Sequence, residues 1–321
     1  MSVRPIAGIS DALGVRARML RRVQRALQDL YNDAGYDEVI PPIVDRPETL
    51  NAGAGRFLAD QTLVFSDPAD AGLLAIRPDI TPQIARIAAT RLQHHDVLKL
   101  HYSGPVIHAR PDARTGLRHQ WQAGVECLGV PGCDGDLEIL ELAARSMLTA
   151  GFEQPVMMLG HMGLIHALVE GSQHEVETWV SHLSRRSPED IETLLGNDRL
   201  DRERGTLLLD LASGVAGIDW LRTHAHSVSL LFEQASDELI RLHALARECL
   251  HGQVELVVDA AVLPRFLYHS GMVVQGFAAR AAQPLLHGGR YDAMMHSHGR
   301  DMPATGFSFD LWSWLDAGAE V

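Results

Sequence analysis

The sequence lacks the features that mark exported, membrane-spanning or disulfide-built proteins. It has three cysteines, and no two of them form a Cys-x-x-Cys pair, so reduced thiols are expected rather than a disulfide framework. No run approaches the roughly 18 consecutive apolar residues of a membrane-spanning helix, and the N-terminal segment has no apolar core of a signal peptide. These absences predict a soluble, cytoplasmic protein.

Positive charge is also scarce. The 321 residues include 28 Lys and Arg against 41 Asp and Glu, a formal net charge of −13, and Lys99 is the only lysine. Surfaces that collect nucleic-acid phosphates normally need a concentrated basic face, so this balance disfavours a nucleic-acid-binding function. With 46% hydrophobic and 21% charged residues, the composition is that of an ordinary globular protein.

Two kinds of periodicity are present in the first half of the chain. Apolar residues spaced three and four apart predict an amphipathic helix over 15–34. Period-two alternation over 120–128 predicts a strand that presents Gln122, Gly124 and Glu126 on one face. That polar face is a candidate wall of a binding pocket.

The other elements place strands on both sides of a helical insert. The pair Pro41-Pro42 forbids a helix and favours an extended edge strand. Strands first, then helices, then more strands indicate an α+β fold with an antiparallel sheet flanked by helices. The remaining predictions are strands at 62–66, 73–77, 97–107, 254–259 and 271–278, helices at 82–93 and 137–150, a Gly-Gly turn at 288–289, and a helical insertion at 162–250.

Four segments, in order and with compatible spacing, resemble the catalytic domain of histidyl-tRNA synthetases, which are class II aminoacyl-tRNA synthetases. The resemblance implies a single class II synthetase-like domain over 1–321, with 162–250 as an inserted helical subdomain and no anticodon-binding domain. It also implies that the first segment contains a dimer-forming strand that ends in a proline, which is Pro42 here. The segments are GYDEVIPPIVD (35–45), IRPDITPQIAR (76–86), GPVIHARPDARTGLRHQWQAGVECLG (104–129) and GGRYDAM (288–294).

Positions that the resemblance assigns to ATP chemistry hold other residues. A synthetase holds ATP phosphates and stabilises the developing charge with arginines, which are permanently charged and bidentate. Here His108, Ser313 and Pro264 occupy three such arginine positions, although Arg265 is one residue from the last. Arg110 occupies the position of an acid that reads adenine. The resemblance therefore implies a chain without catalytic residues or a cofactor of its own.

The groups that hold the amino acid are retained at the positions that the resemblance matches. Asp79 and Glu126 are carboxylates where the family binds the ligand's ammonium group, and a buried cation must be paired and hydrogen-bonded. Tyr268 and Tyr291 are placed to bracket an imidazole ring, and His269 replaces a tyrosine that the family usually has. Arg118 is the candidate partner of the ligand carboxylate. The predicted histidine-binding residues are Asp79, Thr81, Arg118, Gln122, Glu126, Tyr268 and Tyr291.

Each of these features also has a structural interpretation. Gln122 and Glu126 are compatible with satisfied polar positions in an ordinary strand, and Gly288-Gly289 with a simple tight turn. A histidine cluster near the C-terminal end does not match a tetrahedral template, so no metal site is predicted. That cluster is His287, His296 and His298, near Asp301.

A synthetase-like core with a histidine pocket and without ATP residues resembles the family of regulatory subunits of ATP phosphoribosyltransferase, the first enzyme of histidine biosynthesis. The resemblance implies a dimer that joins a short catalytic subunit in a hetero-oligomer, activates it and mediates feedback inhibition by L-histidine. Two other hypotheses remain open. One is a truncated synthetase-like enzyme that activates histidine, and the other is an RNA-binding sensor on the same scaffold.

Overall fold

An eight-stranded mixed sheet organises the chain, and a three-stranded sheet lies beside it. The structure, a computed structural model, describes residues 6–53, 55–112, 115–264, 268–279, 281 and 283–319. The strands are β1 Asp37–Glu38, β2 Val44–Asp45, β3 Leu63–Ser66, β4 Leu73–Ile76, β5 Leu98–Ile107, β6 His119–Leu128, β7 Val156–His161, β8 Glu255–Val258, β9 Met272–Phe277, β10 Leu286–Arg290 and β11 Ala304–Asp310.

Helices cover both ends of the chain and its middle. They are α1 Gly14–Asp33, α2 Pro47–Asn51, α3 Gly55–Gln61, α4 Thr81–Thr90, α5 Gly132–Thr149, α6 Met162–Leu168, α7 Val176–Leu183, α8 Pro188–Leu195, α9 Arg202–Ser213, α10 Ile218–His224, α11 Leu230–Cys249, α12 Asp292–Ser297 and α13 Leu311–Asp316. The α+β prediction is confirmed. No helix of the described residues is long and apolar enough to cross a membrane.

The large sheet has the order β1-β5-β6-β11-β10-β9-β7-β8. Its six central strands pair antiparallel, as predicted, whereas β1 and β8 pair in parallel at the two edges. Parallel neighbours need a crossover connection, and the chain between β7 and β8 supplies one through six consecutive helices, α6 to α11. These helices fall within the segment 162–250.

Helix α1 buries an apolar stripe with the helical spacing that its sequence predicts. In α1, the residues Leu20, Val23, Leu27 and Tyr31 are buried at spacings of three and four, which is the apolar stripe of a helix packed on a core. Helix α1 contacts α5, β1, β5 and α13. Helix α5 begins at Gly132, five residues before its predicted start.

The prediction of an edge strand at Pro41-Pro42 is wrong. These prolines lie between the two-residue strands β1 and β2 and belong to neither, because a proline has no N–H to donate to a ladder. Their carbonyl groups instead accept hydrogen bonds from Arg77 Nη1 (2.8 and 3.3 Å). The segment serves as an anchoring point for a buried arginine.

The predicted Gly-Gly turn is also wrong, because Gly288 and Gly289 lie inside β10. An ideal Cβ at Gly288 would approach Gly306 O at 2.4 Å, and one at Gly289 would approach Met272 O at 2.3 Å. Both distances are shorter than real Cβ contacts, so the pair allows the neighbouring strands to come close to β10.

Candidate ligand-binding site

A cleft opens over the faces of β6, β10 and β11 beside the N-terminus of α4. It encloses about 1000 Å³ of space, part of it open to solvent. Six of the seven predicted site residues line it, and Arg118 does not. The residues that line it and carry the argument below are Asp79, Thr81, His108, Asp112, Gln122, Glu126, Tyr268, His269, Tyr291, Gly306, Asp310 and Ser313.

Asp79 is held at the entrance of α4 by hydrogen bonds from its own turn and from the sheet. Its Oδ1 accepts hydrogen bonds from the Thr81 amide (3.1 Å) and from Gln122 Nε2 (2.7 Å). Gln122 Oε1 in turn accepts from the Ile80 amide at 2.9 Å. Because Gln122 bridges strand and helix, the carboxylate of Asp79 has a fixed orientation in the cleft.

Glu126 is enclosed by three hydroxyl groups. Its Oε1 accepts hydrogen bonds from Thr81 Oγ1 (3.0 Å) and Tyr102 OH (3.1 Å), and its Oε2 accepts from Tyr291 OH (2.7 Å). Burial, with a smaller contribution from the negative charge of Asp79, raises the pKa of Glu126 to about 8. A buried carboxylate with a raised pKa favours a cationic partner, which restores its ionised form.

Two residues that the sequence interpretation missed complete this enclosure. Tyr102 lies opposite Gly124 on the neighbouring strand, where an ideal Cβ would be 2.6 Å from Tyr102 OH. Gly306 lies opposite Glu126, and an ideal Cβ there would be 1.8 Å from Glu126 Oε2. Glycine inside a strand signals a close approach of this kind, and that signal was available in the sequence.

Tyr268 and Tyr291 line the cleft but do not bracket it. Their ring centroids are 6.0 Å apart at an interplanar angle of 82°, which is an edge-to-face contact and leaves no room for a third ring between them. Tyr268 also stacks on His269, with centroids 4.6 Å apart. The prediction that one tyrosine ring packs on an imidazole while the hydroxyl of the other bonds to a ring nitrogen stays a prediction, and in this arrangement a ligand ring would meet the two tyrosines from one side.

The placement predicted for Arg118 is wrong. Its Nε donates to the His108 carbonyl oxygen at 2.9 Å, and its amide donates to the Gly8 carbonyl oxygen at 2.7 Å. The side chain thus braces the connection between β5 and β6 outside the cleft. The described part of the cleft lining has four carboxylates and contains no arginine or lysine.

The residues at two positions that the resemblance assigns to ATP-binding arginines form hydrogen bonds within the chain. His108 Nε2 donates to the Pro78 carbonyl oxygen at 3.0 Å. Ser313 Oγ donates to Asp310 Oδ2 at 2.8 Å. The third position is Pro264, and the neighbouring Arg265 lies outside the described residues.

Arg77, the first arginine of the second segment, has a structural role. Arg77 is buried, and it donates to the carbonyl oxygens of Pro105 (3.0 Å) and Pro41 (2.8 Å) and to Gln83 Oε1 (3.2 Å). Burial lowers the pKa of Arg77 to about 10. These bonds fix the loop that presents Asp79 to the cleft.

The candidate metal cluster is not assembled. Within the described ranges, no group of three or more His, Cys, Asp or Glu side chains is arranged to hold a metal ion. His296 Nδ1 instead lies 2.5 Å from Asp301 Oδ1 on the surface.

Comparison with known proteins places this fold in a class. The family model described as histidyl-tRNA synthetase matches residues 8–313, so the chain has the catalytic fold of that class. An ATP phosphoribosyltransferase regulatory subunit from Nitrosococcus oceani is 33% identical over 318 residues, which cover 98% of this chain and 80% of the relative. The chain belongs to the family of ATP phosphoribosyltransferase regulatory subunits, as its sequence motifs predicted.

Solved structures agree on the fold. An ATP phosphoribosyltransferase regulatory subunit/histidyl-tRNA synthetase from Bacillus halodurans C superimposes with a TM-score of 0.85 at 23% identity, covering 99% of this chain and 83% of that chain. A chain of the ATP phosphoribosyl transferase (HisG:HisZ) complex from Thermotoga maritima superimposes with a TM-score of 0.68 at 17% identity, covering 90% and 96%.

Proposed function

We propose that this chain is the non-catalytic regulatory subunit of an ATP phosphoribosyltransferase, and that its cleft binds L-histidine as a feedback effector. The regulatory role is supported by the family to which the chain belongs. The observation that carries the choice of ligand is the buried pair of carboxylates, Asp79 and Glu126, that Thr81 joins through its amide and its hydroxyl.

This pair suits an ammonium group better than any other part of an amino acid. A buried ammonium requires charged acceptors on several sides, and the two carboxylates supply them from the segment just before α4 and from β6. Tyr268, His269 and Tyr291 offer aromatic surface next to them, which suits an imidazole ring. A ligand that carries an ammonium group beside an aromatic ring therefore matches the carboxylates and the aromatic surface of the cleft.

The same cleft is poorly suited to ATP. Asp112 and Asp310 add two more carboxyl groups to the lining of the cleft, whereas phosphates bind where positive charge or free N–H groups converge. Asp310 is already an acceptor for the Trp312 and Ser313 amides. These features support a chain that senses an amino acid without activating it.

The role as an activator is tested with a short-form catalytic subunit. Adding this chain is expected to increase the rate of phosphoribosyl transfer, and the two proteins are expected to co-elute in size-exclusion chromatography. If the two proteins do not co-elute and the rate does not change, the proposal is contradicted. Histidine-dependent ATP–pyrophosphate exchange by the chain alone would instead favour the truncated-synthetase hypothesis.

Self-association is part of the proposal, and the small sheet supports it. One face of the β2-β4-β3 sheet is wholly apolar and incompletely buried, and Phe65 on it is 40% exposed. Contiguous apolar surface of this kind marks interaction sites. Ile40, which is 80% exposed, and Ile43 adjoin this sheet in sequence. The residues of that face are Val44, Leu63, Phe65, Leu74 and Ile76.

Phe65→Glu is expected to shift the chain from dimer to monomer, because it places a charge on this apolar face. Sedimentation velocity measures the change. Val64→Glu is the matched control, because Val64 is 48% exposed on the same strand but points to the opposite face. A Phe65→Glu protein that sediments like the wild type would show that dimerisation uses another surface.

A further inference from the structure

Between β8 and β9 the structure describes residues 259–264 and 268–271, and the second stretch carries two of the cleft residues, Tyr268 and His269. The helices α6 to α11 contact this loop at both of its described ends. The contacts involve one arginine side chain and two backbone hydrogen bonds, which together make the position of the loop dependent on the helical segment.

Arg186, in the turn between α7 and α8, holds the first end of the loop. Its Nη2 donates to Asp259 Oδ2 (2.6 Å) and to the Ala261 carbonyl oxygen (3.1 Å), and its Nη1 donates to Asp259 Oδ1 (3.3 Å). Nη1 also donates to the Leu211 carbonyl oxygen in α9 at 3.0 Å. We call this set of contacts the Arg186 clamp. Planar, bidentate pairing of this sort fixes geometry as well as charge.

Backbone hydrogen bonds reinforce both ends. The Ala260 amide donates to the Ala216 carbonyl oxygen, between α9 and α10, at 2.9 Å. At the other end, the Met162 amide, which begins α6, donates to the Gly271 carbonyl oxygen at 2.8 Å. The helical segment thus contacts the chain on both sides of Tyr268.

The ion pair of the clamp is less exposed to solvent than a surface ion pair. The side chain of Asp259 is 15% exposed and that of Arg186 is 34% exposed, so solvent screens their pairing only in part. Arg186 also has a φ of +53°, a left-handed conformation that is unfavourable for a residue with a Cβ. The chain keeps arginine at a position where glycine would be less strained, which indicates that the side chain has a role.

We propose that Arg186 is a positioning residue for the ligand cleft, acting through Asp259 and Ala261 at the start of the connection that leads to Tyr268 and His269. This inference rests on the proposed histidine binding. Any binding event that shifts the helices α6 to α11 would then alter histidine affinity, and the two events would be reciprocally linked.

Arg186→Gly tests the proposal, since glycine accepts the backbone conformation and removes only the clamp. Histidine affinity is expected to fall about tenfold, within the usual range of coupling between sites. Hydrogen exchange is expected to accelerate in 268–272, where the Ser270 amide donates to the Arg290 carbonyl oxygen. Isothermal titration and exchange mass spectrometry, both well below the unfolding temperature, measure these effects. Arg186→Lys, which keeps the charge but not the fork, is expected to restore affinity only in part.

Arg185→Ala is the matched control. Arg185 is the adjacent arginine, is 58% exposed and makes a surface pair with Asp190 at 3.5 Å, so both measurements should match the wild type. The proposal would be overturned if residues 268–272 of Arg186→Gly exchanged hydrogen at the wild-type rate. It would also be overturned if they exchanged faster while histidine affinity stayed unchanged. If the wild-type protein bound no histidine and Arg186→Gly still exchanged faster in 268–272, the result would support the clamp and contradict the proposed ligand.

Discussion

Glu126→Gln is expected to lower the affinity for L-histidine at pH 8 by about a hundredfold or more. Glutamine keeps the shape of the side chain but removes the charge, and losing one partner of a buried charged hydrogen bond costs about 2–5 kcal/mol. Isothermal titration with L-histidine measures the change. Glu248→Gln, on the exposed face of α11, is the control and should bind as the wild type does.

The same substitution is expected to stabilise the protein at high pH. Burial raises the pKa of Glu126 from its usual value near 4.5 to about 8. A carboxyl group whose folded-state pKa is raised contributes stability below the unfolded-state pKa, and this contribution is lost as pH rises through 8. Glutamine does not titrate, so the thermal midpoint of Glu126→Gln should exceed that of the wild type at pH 8 and approach it at pH 5. Equal midpoints at pH 8 would show that burial does not raise the pKa of Glu126 in the folded protein.

Histidine affinity of the wild type should rise with pH over the same interval. An ammonium ligand requires ionised Glu126, and the ionised fraction rises about fivefold between pH 7 and pH 8 for a pKa of about 8. Binding at pH 7 should release a proton from the protein, which titrations in buffers of different ionisation enthalpy detect. Affinity that is flat over this interval would place the ligand's ammonium elsewhere.

Gly306→Ala is the second change with a large expected effect. A Cβ at this position would lie 1.8 Å from Glu126 Oε2 and 2.5 Å from the Val125 carbonyl oxygen, so the carboxylate cannot keep its place. Histidine binding should be lost as completely as in Glu126→Gln. Because overpacking costs about 1–3 kcal/mol, the unfolding midpoint should fall, whereas in Glu126→Gln it should rise.

The control for this change is Gly205→Ala in α9. An ideal Cβ there has its nearest neighbours at 3.5 Å, in the side chain of Leu195, and alanine favours a helix over glycine. This variant should bind histidine normally and unfold no earlier than the wild type. Normal histidine binding by Gly306→Ala would mean that the ligand does not depend on the position of Glu126.

The polar wall of the cleft was predictable because a strand alternates strictly. Gln122 and Glu126 are two apart from Gly124, and a period of two leaves no choice of face once the strand is recognised. The buried stripe of α1 follows from its spacing in the same way. Asp79 required the resemblance, since nothing local indicates that the entrance of α4 lies over β6, 43 residues from Gln122.

The failures share a physical cause, which is that they depend on contacts between distant segments. Gly288-Gly289 has the local signature of a turn, and only the packing of β9 and β11 against β10 shows that it is a strand. Arg118 has the right charge for a carboxylate, but its Nε hydrogen bond to the His108 carbonyl oxygen directs it elsewhere. Tyr102 was overlooked because its role depends on the glycine opposite it.

The most direct test of the central claim is the histidine response of the assembled enzyme. Phosphoribosyl transfer is measured for a short catalytic subunit combined with the wild-type chain or with Glu126→Gln, each normalised to its rate without histidine. Histidine is expected to inhibit the wild-type assembly and to leave the Glu126→Gln assembly uninhibited over the same concentrations. Equal inhibition of both assemblies would contradict the account, because the histidine that regulates the enzyme would then bind outside the cleft that Asp79 and Glu126 define.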